Sequence, residues 1–146
     1  MQVACLSLNL EKALAKSLAR PMVFRFKKKK NYPEQKEQIV FFQYLELAHK
    51  KYVDVCFSIP NEGIRTGIQL FIMCKAGLTP GVPDVFCAIP NKNYHGLFIE
   101  FKYGKNKLSP AQSRMIPLLE AMGYQCNVCY SADEAISVFK DYLSNI

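Results

Sequence analysis

Histidine is scarce in this 146-residue chain, which has only His49 and His95. Neither stands in a pattern that would build a Ser-His-Asp or Cys-His relay, so that nucleophilic chemistry is set aside. There is no glycine-rich loop of the phosphate-cradling kind, which argues against a nucleotide cofactor and ATP-driven work. No apolar run reaches the roughly 18 residues a membrane span requires, so no membrane partner is expected. The start, Met1 to Leu10, lacks the basic and long apolar regions of a secretory signal. The six cysteines (Cys5, Cys56, Cys74, Cys87, Cys126 and Cys129) are scattered among apolar residues. That scatter fits reduced, buried thiols of an intracellular protein better than a disulfide framework. Cys126 and Cys129 have zinc-knuckle spacing, but no second pair exists, and on a strand residues three apart face opposite sides.

What is present is a globular body with a lopsided charge. Half of the residues are hydrophobic and the net charge is +7. Residues 1–33 carry eight of the nineteen Lys and Arg, including Lys27, Lys28, Lys29 and Lys30, but only one of the twelve acids. Residues 34–146 therefore hold eleven of each and are neutral. A basic arm (1–33) on a neutral domain (34–146) suits a polyanion, most simply nucleic acid, bound by a salt-sensitive, sequence-independent term. Leu10, Leu14 and Leu18 give the arm one short amphipathic helix, ended by Pro21.

From Glu34 the pattern turns helical, with Ile39, Phe42 and Leu45 on an apolar face up to about Lys50. Tyr52 to Ile59 reads as a strand, and Thr66 to Ala76 as a helix capped by Gly77. Val85 to Ile89 and a run from Leu97 read as two further strands, joined by polar residues 91–96. Ser109-Pro110-Ala111-Gln112 is a capping box opening a helix that stops at Gly123. Tyr124 to Tyr130 is a strand, and Ser131 with Glu134 caps a last helix. Without the helix before Gly77, the order is αβββαβ plus a terminal helix, an α/β fold with a mixed sheet.

Chemistry concentrates in Gly81-Val82-Pro83-Asp84 and Ile99-Glu100-Phe101-Lys102. Glu100 and Lys102 are two apart on a strand and point the same way, while Phe101 packs behind. A hairpin brings Asp84 alongside them. Two carboxylates suit a hard cation such as Mg2+ or Mn2+, and an adjacent ammonium can orient or help deprotonate an attacking water. Leu97, Phe98, Ile99 and Phe101 make the strand look buried, and a buried carboxylate without a cation is costly.

These segments resemble the PD-(D/E)xK nuclease superfamily, and within it the virus-type replication-repair nuclease, or VRR-NUC, branch. Glu34 to Gln38 looks like that branch's Glu-x-x-x-Gln. Pro60-Asn61-Glu62-Gly63-Ile64-Arg65 is similar to its Pro-Asn-Gly-Gly-x-Arg turn, with Glu62 in place of the first glycine. Gly77 to Asp84 matches Gly-x-x-x-Gly-x-Pro-Asp, Glu100-Phe101-Lys102 the Glu-x-Lys strand, and Lys107 to Gln112 the Lys-Leu-Ser-x-x-Gln helix start. The resemblance covers roughly residues 34 to 143.

It implies a restriction-endonuclease-like core and a hydrolase acting on ester bonds, namely a metal-dependent endodeoxyribonuclease. Its DNA would be branched (four-way junctions, flaps or nicked forms), cut by a homodimer in DNA repair or replication inside a bacterium or a phage-infected host. The metal would rest on Asp84, Glu100, the carbonyl of Phe101 and, further out, Glu34. Lys102 would be the catalytic ammonium, with Gln112 facing it and Gln38 a partner in the site. Glu37 competes with Glu34 if the alignment slips. Asn61, Arg65, Lys105 and Lys107 would contact DNA, as would the arm lysines. The contrasting expectation is a nucleic-acid-binding protein that keeps the fold without cutting. A third is an assembly subunit with Tyr44, Tyr130 and Phe139 on an aromatic surface.

Overall fold

A computed structural model describes residues 33–60 and 67–146. The arm lysines, the Leu10–Leu14–Leu18 stripe, Asn61 and Arg65 lie outside the described residues. Helix α1 spans Pro33–Ala48, followed by a 3-10 segment Lys50–Val55 and strand β1, Cys56–Ser58. Helix α2 is Gly67–Lys75, strands β2 and β3 are Val85–Cys87 and Leu97–Phe101, and helix α3 is Pro110–Ala121. Strand β4, Gln125–Cys129, and helix α4, Ala132–Leu143, complete the order. The sheet runs β1-β2-β3-β4, antiparallel for the first two pairings and parallel between β3 and β4. This is the mixed sheet with flanking helices that the element order implies.

Strand alternation sorts the side chains. Leu97, Ile99 and Phe101 join Val85, Cys87, Phe41, Leu45, Phe139 and Tyr142 in the main core beneath α1 and α4. Phe41 meets the rings of Phe101 and Phe139 at 6.2 and 5.8 Å, so α1 and α4 are locked to each other and to β3 by aromatic edges. The odd-numbered residues of β3 thus face the core, and Phe98 and Glu100 face the other way. On that second face Phe98 stacks on Phe86 at 4.4 Å, and both meet Tyr124.

Two expectations are corrected. The first half of Tyr52–Ile59 is not strand but part of the 3-10 segment, because Tyr52 and His49 turn inward to pack on Phe139. Phe139 itself is fully buried, so it lends nothing to an aromatic surface. The caps agree with the sequence at α3, where both bonds of the Ser109–Gln112 box are formed. At α4 Ser131 accepts from Glu134 N–H, but the Glu134 carboxylate reaches back to Tyr130 N–H rather than to the capping residue. Gly77, with φ of 100°, ends α2 with Leu78 N–H on the Met73 carbonyl.

Tyr142 closes the base of the core, its hydroxyl donating to the Ile89 carbonyl at 2.6 Å. Burial, with the Cys87 thiol nearby, pushes its pKa up from 10.0 to about 12. Between those values the unfolded chain loses this proton and the native one keeps it, so stability falls as pH rises through that window. An absorbance titration should show an ionisation near pH 12 that Tyr142→Phe removes. Tyr142→Phe should flatten the alkaline loss and cost about 1–3 kcal/mol at neutral pH, because a buried carbonyl loses its donor.

Candidate active site

The site is assembled where β1, β2 and β3 end together. Continuing the β2–β3 register (Val85 opposite Ile99) by one step sets Asp84 across from Glu100, on the face away from the main core. The Ile59 N–H bonds to the Asp84 carbonyl at 2.7 Å, so β1 fixes the backbone here. The Asp84 side chain accepts from Phe101 N–H at 2.9 Å, which aims its carboxylate at the end of β3. Pro83 beside it is buried. Gly81, with φ of 92°, lies so close to α3 that a Cβ would overlap the backbone of Ala111 and Gln112. This glycine lets the start of α3 come down against the Pro-Asp segment.

Glu100 is 1 % exposed and receives two charge-directed bonds on Oε1, from the Lys102 ammonium and the Gln112 amide. Its Oε2 is buried with them. Gln112 therefore has two tasks, because its Oε1 also accepts from Ser109 N–H at 2.8 Å in the capping box. Lys102 is buried and paired to Glu100. Burial pushes its ammonium down, but the hydrogen bond and charge of Glu100, with Glu34 and Asp84 behind, outweigh that and hold its pKa above 10.5. Its charge is thus held by the carboxylates around it.

Glu34, in the first turn of α1, accepts from Tyr103 N–H at 3.1 Å and from Asn106 Nδ2 at 3.0 Å. It thus ties α1 to the loop after β3 and faces Lys102 electrostatically. The competitor, Glu37, is engaged elsewhere, accepting from Ala132 N–H at 2.8 Å at the start of α4. Among the described residues, no three His, Cys, Asp or Glu side chains gather closely enough to cage a metal ion. What does gather is a facing carboxylate pair with one ammonium and one amide, and Glu34 acts on the ammonium from further off.

The profile of the VRR-NUC domain matches residues 29–133. The chain belongs to the VRR-NUC family. A solved structure described as a VRR_NUC domain protein has a similar fold, with a TM-score of 0.69 and 27% identity. The similarity covers 80% of this chain and 93% of that one. No protein with a curated function matches.

Of the residues that the VRR-NUC pattern singles out, Asp84, Glu100, Lys102, Glu34 and Gln112 come together here. Gln38, one turn along α1 from Glu34, donates its amide to Ser58 Oγ on β1 at 2.9 Å. Lys105 and Lys107 are exposed on the loop that Glu34 secures. Sequence reasoning missed Tyr103 and Asn106, the partners of Glu34. Only the loop residue Gly104, with φ of 58°, hinted at a shaped turn between them.

Proposed function

We propose that this VRR-NUC chain is a divalent-metal-dependent endonuclease that hydrolyses phosphodiester bonds in branched DNA. The observation that carries the reading is the Asp84–Glu100 pair. Two carboxylates facing each other across adjacent strands repel unless a cation lies beside them. Lys102 is one such cation, and the oxygen-rich end of the pair suits a second. The donor set fits Mg2+ or Mn2+, which take one or two carboxylates and keep water for the remaining positions. Asp84, Glu100 and the Phe101 carbonyl would hold the ion, with Glu34 outside them. When bound, the ion would lower the pKa of a water and offset charge on the phosphate.

The chain's own residues then have distinct tasks. Lys102 supplies a permanent positive charge where the phosphate gains negative charge. Gln112 holds Glu100 in its rotamer, and Glu34 fixes the 103–106 loop so that Lys105 and Lys107 meet backbone phosphates. Asn61, Arg65 and Lys27 to Lys30 are assigned to the DNA from the sequence alone. So is the division into an arm, 1–33, and a nuclease domain, 34–146. A homodimer is supported by α2, whose Ile68, Phe71 and Ile72 are all more than half exposed. Intracellular action in DNA repair or replication goes with that substrate. Among the described residues, no helix is long and apolar enough to cross a membrane.

The test is cleavage of labelled duplex, single strand, flaps, splayed arm and four-way junction in Mg2+, Mn2+ or EDTA. Metal-dependent cutting strongest on a branched form is the expected result. Binding without cutting under any metal would replace this reading with the non-catalytic nucleic-acid-binding one.

A further inference from the structure

A cleft of about 560 Å³ lies between α1 and β1, lined by Gln35, Gln38, Phe42, Gln43, Glu46 and Ser58. Two of its lining residues lie close to site residues along the chain or across the sheet. Gln35 follows Glu34 on α1, and Ser58 pairs with Val85, the residue after Asp84. We propose that this cleft seats one unpaired nucleobase of the DNA next to the cut. The inference rests on the endonuclease reading and says what makes a distorted substrate recognisable.

The lining chemistry selects that occupant. Among the described residues, no lysine or arginine lines the cleft, and Glu46 does, so a phosphate there would meet a carboxylate with no cation from those residues to offset it. A base is neutral and carries donors and acceptors on its edge. The carboxamides of Gln35, Gln38 and Gln43 offer both, and Glu46 accepts from an exocyclic amino group. Phe42 supplies an aromatic surface, and Ile39 adds apolar area. Stacking on an aromatic ring tolerates any base, as a structure-reading nuclease requires. A base already unpaired at a branch enters with little unstacking cost, whereas one in an intact duplex must first be extruded.

The experiment places a single abasic nucleotide, in turn, at each position around the branch point of a four-way junction and of a flap. Equilibrium binding is read by fluorescence anisotropy in EDTA, and KM and kcat in Mg2+. At one position, loss of the base should weaken binding and raise KM about tenfold, with kcat little changed, which is the scale of one stacked base. Phe42→Leu should weaken the intact substrate by a similar factor and no longer distinguish intact from abasic DNA. Gln43→Ala, on the exposed side of α1, is the second variant and should lose part of the same discrimination even if Phe42→Leu folds poorly. Abasic DNA bound as well as intact DNA at every position would overturn the proposal. So would variants that discriminate as strongly as the wild type. Anisotropy reads the cleft whether or not DNA is cut, so a protein that senses the base without cutting would sink the nuclease reading alone.

Discussion

Asp84→Asn should abolish metal-dependent cleavage, lowering the single-turnover rate by about a thousandfold or more, while the protein stays folded. The rate loss follows from removing one carboxylate from the facing pair, since metal stabilisation of transition-state charge is worth several kcal/mol. Folding is spared for reasons visible in the geometry. Asn Oδ1 can still accept from Phe101 N–H, the bond that now anchors the Asp84 side chain. Exchanging a charged for a neutral acceptor there costs about 1 kcal/mol. Against that cost, the substitution relieves repulsion with Glu100. DNA binding should persist or tighten, because a negative charge leaves the path of the phosphate. Thermal unfolding, anisotropy and cleavage on the same preparation check all three. Cleavage within a few fold of wild type, with Mg2+ present, would remove Asp84 from the site.

That the pair was readable in the sequence, and its support was not, has a physical origin. Strand alternation has a period of two, so Glu100 and Lys102 on one side and Phe101 on the other follow from an apolar run alone. A capping box spans four residues, so Ser109 and Gln112 announced the start of α3. These signals are local. Glu34 reaches Tyr103 and Asn106 across some seventy residues, and nothing in the first turn of a helix encodes such a partner. The same holds for Gly81. Its positive φ is a property of the turn, but the need for no side chain comes from the backbone of α3, thirty residues on. The strand expected from Tyr52 failed because tertiary packing of His49 and Tyr52 on Phe139 outweighed a β-branched and aromatic run. The family pattern marks Gln38, but its bond to Ser58 on β1 and the cleft it lines there come from the packing of α1 on the sheet.

Lys102→Met should have the largest effect on stability, and a divalent metal should reverse part of it. The methionine is similar in length and apolar, so the substitution chiefly removes charge. It leaves Glu100 at 1 % exposure, with the Gln112 amide still donating to it and Asp84 opposite. Breaking a buried ion pair by deleting one partner costs about 3–5 kcal/mol. In a domain of this size that lowers Tm by about 10–20 °C in EDTA. Adding Mg2+ or Mn2+ restores a cation to the carboxylate pair and should raise Tm more in the variant than in the wild type, where the ammonium already occupies one side of Glu100. At a hundred times Kd the gain is about 2.7 kcal/mol. Cleavage should stay about a hundredfold down even with stability recovered, because the fixed charge facing the phosphate is gone. The double variant Glu100→Gln, Lys102→Met should regain much of the lost stability without metal and lose its response to it, closing a double-mutant cycle on the pair. If Lys102→Met is as stable as wild type in EDTA, or if metal raises both proteins equally, the ammonium and the metal do not share Glu100.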